Sequence, residues 1–273
     1  MPNRENVTSP ISLMGYGRSG TSMLARALGA HPEIDMVGDT TNLIFTMRRA
    51  FDQIEGMTRL GAGSLADAAS EQIRRTITEL FPSDRPVWAQ RPIGTPQVTW
   101  EFSTLGLFMD WYWSAYGAIF PDAVSISVVR HPFDVYLSAK SYWNAADADI
   151  WRTMTIMYRL LAHRNARIRK CFMFEALVED PESVVGEILA LAGLEFHPAI
   201  RPVLGTVHVP SGRAEVEGLS YEARRESRFS YADLWPEVAE LNSRGAAEAL
   251  ECYRHVLEAF QLRTEPALAA VSD

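Results

Sequence analysis

The sequence predicts an α/β fold: a three-layer sandwich with helices on both faces of a central parallel sheet. Three observations carry that expectation. A short apolar run, Ile11–Met14, leads straight into a glycine-rich loop and then into a helical period. Short strand-like runs alternate with helix-length segments along most of the chain, the pattern of a parallel sheet joined by crossover helices. The richest of these runs, 123–129, holds only Ala, Val, Ile and Ser, as a strand covered on both faces requires.

Taken in order, Ile11–Met14 reads as the first strand, and Gly15, Gly17 and Gly20 turn the chain into a helix over 22–28. His31-Pro32 stops that helix, because the residue before a proline is pushed out of the helical region. Residues 34–37 read as a second strand, followed by a helix over 40–51 that Asp39 is placed to cap. Val87–Gln90 reads as a third strand and 123–129 as a fourth, central one. Pro132 suits the first turn of a helix ending near Trp143. A long helical pattern covers 150–169, 171–174 reads as a short strand, and Pro181 opens a helix that Gly193 closes. Residues 206–233 mix Gly, Pro, Ser, Arg and Glu without a period and read as a long lid loop, and a last helix is expected over 243–260.

Composition bounds what the chain does. Its 273 residues, 47% hydrophobic and 22% charged, suit one core, giving a single domain over 1–265, with helices of an acceptor side over about 40–120 and a frayed tail over 266–273. A formal charge of −8 argues against gripping nucleic acid or another polyanion, while leaving room for a local cationic pocket. Cys171 and Cys252 stand far apart without metal spacing, which fits two buried thiols in a reducing compartment. The N-terminal apolar run is too short for a signal peptide or membrane span, so the expected location is the cytoplasm.

Two segments carry chemistry. Gly15-Tyr16-Gly17-Arg18-Ser19-Gly20-Thr21-Ser22, set between a strand and a helix, turns successive backbone N–H groups toward one point at a helix N-terminus, which favours an anion. The spacing approaches G-x-x-x-x-G-K-[ST], but Thr21 stands at the lysine position and the cation comes earlier, at Arg18. A glycine turn that binds nothing is the plain alternative. The second segment, Val128-Val129-Arg130-His131-Pro132-Phe133-Asp134, ends the central strand in a cation, where a nucleotide hydrolase often carries a magnesium-linked aspartate. Arg130 at that strand end and Ser138, two helical turns on, suit a second anion. Arg130 pairing with Asp134 is the competing reading.

With Phe174-Glu175-Ala176-Leu177-Val178-Glu179-Asp180-Pro181, these segments make three motifs in an order that resembles the PAPS-dependent sulfotransferases, particularly their bacterial and tyrosylprotein-type branches. The resemblance covers most of the chain and implies a P-loop NTPase-like fold and transfer of a sulfuryl group from 3'-phosphoadenosine 5'-phosphosulfate (PAPS) to a hydroxyl. It further implies that Arg18, Ser19, Gly20, Thr21 and Ser22 hold the 5'-phosphosulfate, that Arg130 and Ser138 hold the 3'-phosphate, and that the Phe174 segment lies beneath the adenine. Phe174-Glu175-Ala176 departs from the family's Tyr-Glu-Asp and so loses a tyrosine hydroxyl. The family's closing arginine-lysine motif has its best substitute in Ser211-Gly212-Arg213.

The expected mechanism follows from charge. In-line sulfuryl transfer needs stabilisation of the leaving phosphate, for which Arg18 and Arg91 are placed, Arg91 standing where the family has a strand-end lysine-x-proline. No metal constellation is present, so no metal is expected and 3',5'-adenosine bisphosphate (PAP) is the product nucleotide. Counting from Arg18, Asp39 falls where tyrosylprotein-type enzymes carry a catalytic glutamate, and is the preferred base; helix capping is its other reading, and His131 is the alternative base. His31 is expected to be structural. The rings Trp88, Trp100, Phe102, Phe108, Trp111, Tyr112, Trp113 and Tyr116 either wall an acceptor pocket or fill the core, and a small, partly apolar or phenolic acceptor is expected. A catalytically silent nucleotide-binding protein and a degenerate P-loop kinase are the rival functions. The sequence leaves the oligomeric state open.

Overall fold

A computed structural model describes residues 9–58, 65–82, 84–92, 95–143, 145–163, 167–204 and 231–262. In chain order the elements are β1 Ile11–Met14, α1 Thr21–Gly29, β2 Ile34–Met36, α2 Thr41–Thr58, α3 Ala66–Leu80, β3 Val87–Gln90 and a 3-10 turn Gln97–Glu101. There follow α4 Leu105–Ile119, β4 Val124–Val129, α5 Pro132–Trp143, α6 Asp147–His163, β5 Lys170–Met173, α7 Phe174–Glu179, α8 Pro181–Leu191, a 3-10 turn Pro198–Ile200, α9 Arg201–Leu204 and α10 Tyr231–Ala259.

The five strands pair in the order β2-β3-β1-β4-β5, every pair parallel. Ile11 lies opposite Ala89 on one side and Val124 on the other, and Met14 lies opposite Ser127, so β1 is central. From β1 the chain first builds one edge of the sheet through β2 and β3, then crosses β1 to build the other through β4 and β5. The crossing leaves a crevice at the carboxyl end of β1, where open α/β sheets bind ligands.

Period-two alternation sorts the strand side chains into two cores. Ile11, Leu13, Ala89, Ile126 and Val128 pack with Leu24 and Leu28 of α1 and with Val185 and Ile188 of α8. Met14, Trp88, Val129 and Cys171 join a second, aromatic core with Phe108, Tyr112 and Tyr116 of α4, Met154 and Tyr158 of α6, and Tyr253 of α10. Leu24 and Leu28 are fully buried. Burial of a side chain this size contributes about 1.5–3 kcal/mol, which anchors α1 and with it the loop that precedes it.

The three-layer parallel-sheet expectation is met. Local boundaries differ in several places, and the helix expected over 40–51 runs on to Thr58. The long helix stops at His163 rather than 169, Phe174 opens α7 instead of ending β5, and α10 starts at Tyr231 rather than near 243. Helices α2, α3 and α4 occupy the region expected to be helical between 40 and 120. Most of the anticipated lid loop and the whole tail 266–273 lie outside the described residues. Among the described residues, no helix is long and apolar enough to cross a membrane.

Candidate functional site

The loop after β1 is shaped by close approach. A Cβ on Gly15 would lie 2.8 Å from the carbonyl oxygen of Val128, so only glycine lets the chain leave the sheet against β4. Gly20 has φ 101°, and a Cβ there would also meet the Phe174 ring at 2.7 Å. Arg18 holds φ 72°, a left-handed conformation that costs a non-glycine residue free energy. Ser19 N–H donates to Tyr16 O at 3.3 Å, and Met23 and Leu24 N–H to Gly20 O at 3.0 and 3.2 Å, which starts α1. No side chain caps this helix start. Ser19 and Thr21 are buried, and Ser19 Oγ and Thr21 Oγ1 have no hydrogen-bond partner.

Arginines surround the loop. Arg91, just past β3, donates from Nη1 to Ser22 Oγ on α1, while its Nε is buried without a partner. Burial lowers the Arg91 pKa, and the Asp39 charge opposes that shift. Arg130, just past β4, donates from Nη1 to Arg18 O at 3.4 Å, and its buried Nε makes a 3.5 Å ion pair with Asp134 Oδ2 without hydrogen-bond geometry, so the sequence-level pairing exists. The Arg130 guanidinium lies 4.4 Å from the centroid of the Phe174 ring, which also closes on Gly20. The loop, Arg91, Arg130 and Phe174 therefore meet at one place, the carboxyl ends of β1, β3, β4 and β5.

Arg18 and Ser138 meet directly: Arg18 Nε donates to Ser138 Oγ at 3.0 Å, and the guanidinium lies 4.4 Å from the centroid of the Tyr142 ring. The sequence reading sends these two residues to opposite ends of one ligand; here they are a bonded pair. It also missed α5's terminal rings. Trp143 packs edge-on against Tyr16, and a Cβ on Gly17 would meet it at 2.7 Å. No motif marks that role, because it arises only when α5 folds back over the loop.

Asp39 is exposed, and its Oδ1 accepts Thr41 N–H at 2.9 Å at the start of α2. The capping role is thus real, and the carboxylate also stands close enough to Arg91 and Tyr112 to act on their charge states. His131 points the other way. It is buried against Phe133 and Tyr253, accepts Phe133 N–H on Nδ1 at 3.3 Å, and is pushed down to about 4 by burial and then by the Arg130 and Arg254 charges. That environment suits a neutral core acceptor rather than a base facing substrate. His31 is buried, with Nε2 on Glu195 O and Nδ1 accepting Glu33 N–H. Ser211 and Arg213 lie outside the described residues.

Most of the singled-out rings are core: Trp88, Phe108, Tyr112, Trp113 and Tyr116 are buried. Trp100 is 54% exposed. With Phe102, Trp151, Arg152 and Ile156 it lines a cavity of about 420 Å³ between the Gln97–Glu101 turn, α6 and α10. Of these elements α6 touches the loop, since Thr153 Oγ1 lies 2.7 Å from Tyr16 Oη, and Thr95 Oγ1, ahead of the turn, donates to Thr153 O at 3.1 Å. Among the described residues, no cluster of three His, Cys, Asp or Glu side chains could hold a metal ion.

The sequence pattern of the sulfotransferase family matches residues 10–198. No curated protein sequence matches. Among solved structures, the sulfotransferase domain from the Synechococcus PCC 7002 olefin synthase is 17% identical, with a TM-score of 0.53 over 93% of this chain and 95% of that one. Sulfotransferase STF9 from Mycobacterium avium is 13% identical, with a TM-score of 0.51 over 95% of this chain and 78% of that one. At these identities the likeness speaks for the P-loop-like fold alone.

Proposed function

The chain belongs to the sulfotransferase family, and on that premise we propose that it moves a sulfuryl group from PAPS to a hydroxyl of a small, partly apolar or phenolic acceptor. One observation supports the donor above others: Ser19 Oγ, Thr21 Oγ1 and Arg91 Nε are buried without hydrogen-bond partners around one uncapped helix N-terminus, beside Arg130. A buried polar atom left without a hydrogen bond costs about 1–3 kcal/mol, and anionic oxygens would satisfy all three. A donor with phosphates at two ends suits cations at two strand ends.

In this reading Ser19, Gly20, Thr21 and Ser22 bind the 5'-phosphosulfate, and Arg18 and Arg91 stabilise the charge that grows on the leaving phosphate. Arg130 and Ser138 bind the 3'-phosphate, which requires Ser138 to exchange its bond from Arg18 for one to the ligand. Phe174 packs at the adenine side, and Ser211 with Arg213 closes over the donor. Asp39 orients the acceptor hydroxyl and takes its proton as the oxygen attacks sulfur, using the oxygen not held by Thr41 N–H. The exposed Trp100 and the cavity beside it favour an acceptor with an apolar or aromatic body. Two buried free thiols are consistent with a cytoplasmic setting.

Incubation with sulfur-labelled PAPS and a panel of alcohols and phenols tests the assignment. Labelled ester without added divalent metal is expected. Magnesium-dependent turnover of ATP would favour a kinase, and PAP binding without transfer to any acceptor would favour a silent binding protein. Asp39→Asn is expected to reduce kcat by about two to four orders of magnitude with little change in PAP affinity. Near-normal turnover would leave Asp39 as a helix cap.

A further inference from the structure

Beneath the site, the aromatic face of the sheet carries an unexpected polar chain. Ser12 on β1, Gln90 on β3, Tyr116 on α4, Ser125 on β4 and Thr40 ahead of α2 are all 2% exposed or less. Thr40 Oγ1 donates to Gln90 Oε1 at 2.7 Å, and Gln90 Nε2 donates to Ser12 Oγ at 2.9 Å. Tyr116 Oη lies 2.9 Å from Ser125 Oγ and within reach of Ser12 and Gln90. These bonds fix which end of the Gln90 amide faces Thr40.

The chain ends beside Asp39. Gln90 and Arg91 are consecutive, and they grip the two neighbours of Asp39: Gln90 holds the Thr40 hydroxyl, and Arg91 N–H donates to Gly38 O at 2.7 Å. Gly38 has φ 94° with open space around its absent Cβ, so the backbone conformation itself calls for glycine. Thr40 and Thr41 are buried while Asp39 is exposed, so the turn presents one carboxylate from a fixed base. An apolar pair at 40 and 90 would fill the same volume without desolvating an amide and a hydroxyl. What it would lack is direction.

We propose that Thr40 and Gln90 are positioning residues for Asp39, holding the turn so that its carboxylate stays beside Arg91 and the loop mouth. The inference rests on the reading of Asp39 as the base. It carries a kinetic consequence, because displacement of a catalytic group by about 1 Å can cost on the order of 100-fold in rate.

The test compares Thr40→Val, Thr40→Ser, Asp39→Asn and the Asp39→Asn/Thr40→Val double variant, with PAPS and 4-nitrophenol as substrates, PAP calorimetry, and amide exchange at Thr41 and Arg91. Thr40→Val is expected to lower kcat by about 10- to 100-fold while PAP affinity stays within about 2-fold, and Thr40→Ser to recover most of the loss. Adding Thr40→Val to Asp39→Asn should cost nothing further, and the Thr41 and Arg91 amides should exchange faster in Thr40→Val than in the parent protein. Unchanged exchange, a serine variant as slow as the valine one, or losses that multiply in the double variant would overturn the proposal. A slow Asp39→Asn beside a fully active Thr40→Val sinks this inference alone, whereas a fully active Asp39→Asn sinks the base assignment and this inference with it.

Discussion

Gln90 and Arg91 are adjacent in the chain yet belong to two regions that treat buried polarity in opposite ways. Both ends of the Gln90 amide are hydrogen-bonded, to Thr40 and to Ser12, within a core segment that also bonds Tyr116 to Ser125. Arg91, one residue farther toward the mouth, keeps a buried Nε without a hydrogen bond, as do Ser19 Oγ and Thr21 Oγ1 around it, while Arg130 Nε has only the 3.5 Å ion pair with Asp134. Isolated ring tips such as Tyr112 Oη and Trp151 Nε1 are also unpartnered, but they are scattered through the aromatic core. What distinguishes the mouth is concentration: two hydroxyls and one guanidinium nitrogen without hydrogen bonds lie around one helix start, with the Arg130 guanidinium beside them. Polarity below the strand ends is satisfied within the fold, whereas polarity above them is left open, which under the proposed function is where an anion binds.

The largest test of this contrast lies on the core side and uses pH. His131 is held at about 4, below its ordinary 6.5, chiefly by burial. Between those values the unfolded chain binds the proton and the folded one does not, so the His131 contribution is complete above pH 6.5 and is lost as pH falls toward 4. The loss should reach at most about 3 kcal/mol. Thermal unfolding between pH 7 and 4.5 should show it, and His131→Gln should flatten the slope. An equally steep slope in the variant would mean that His131 is not the group responsible.

On the mouth side, Arg130→Ala should weaken PAP binding by about 1.5–3 kcal/mol, the scale of a charged hydrogen bond, as read by calorimetry. Unchanged affinity would remove the second anion site. The finest comparison pairs one hydroxyl from each region. Tyr116→Phe should destabilise folding by about 1 kcal/mol because it breaks bonded partners, whereas Thr21→Val should leave the protein without ligand as stable or up to about 1 kcal/mol more so, while weakening PAP binding. If both variants lose stability equally, the two regions do not differ as described.

Much of this was legible in sequence because it depends on near neighbours. The strand–loop–helix around Gly15 to Ser22, the cation at Arg130 and the proline-opened helices α5 and α8 each follow from spacing within a few residues. Helix α3 was harder to read individually: Ala69, Ile73 and Ile77 form its buried line among Glu, Arg and Thr, a weak apolar signal. Phe174 reads as strand because a ring after Cys171-Phe172-Met173 continues the apolar run, yet it opens α7. The polar chain was invisible. Thr40, Gln90, Ser12 and Tyr116 become neighbours only when β3 inserts between β2 and β1 and α4 packs beneath them, and no local spacing encodes that insertion. The Arg18–Ser138 bond and the Trp143 contact with Gly17 likewise depend on where α5 lies across the loop.

Under the proposed function, the buried polar groups at the mouth take the two charged ends of one adenosine ligand. A crystal structure with 3',5'-adenosine bisphosphate tests it most directly. The 5'-phosphate oxygens are expected within hydrogen-bond distance of Ser19 Oγ and Thr21 Oγ1, and the 3'-phosphate on Arg130 and Ser138. A ligand seated with either phosphate elsewhere, leaving those atoms as they are now, would contradict it.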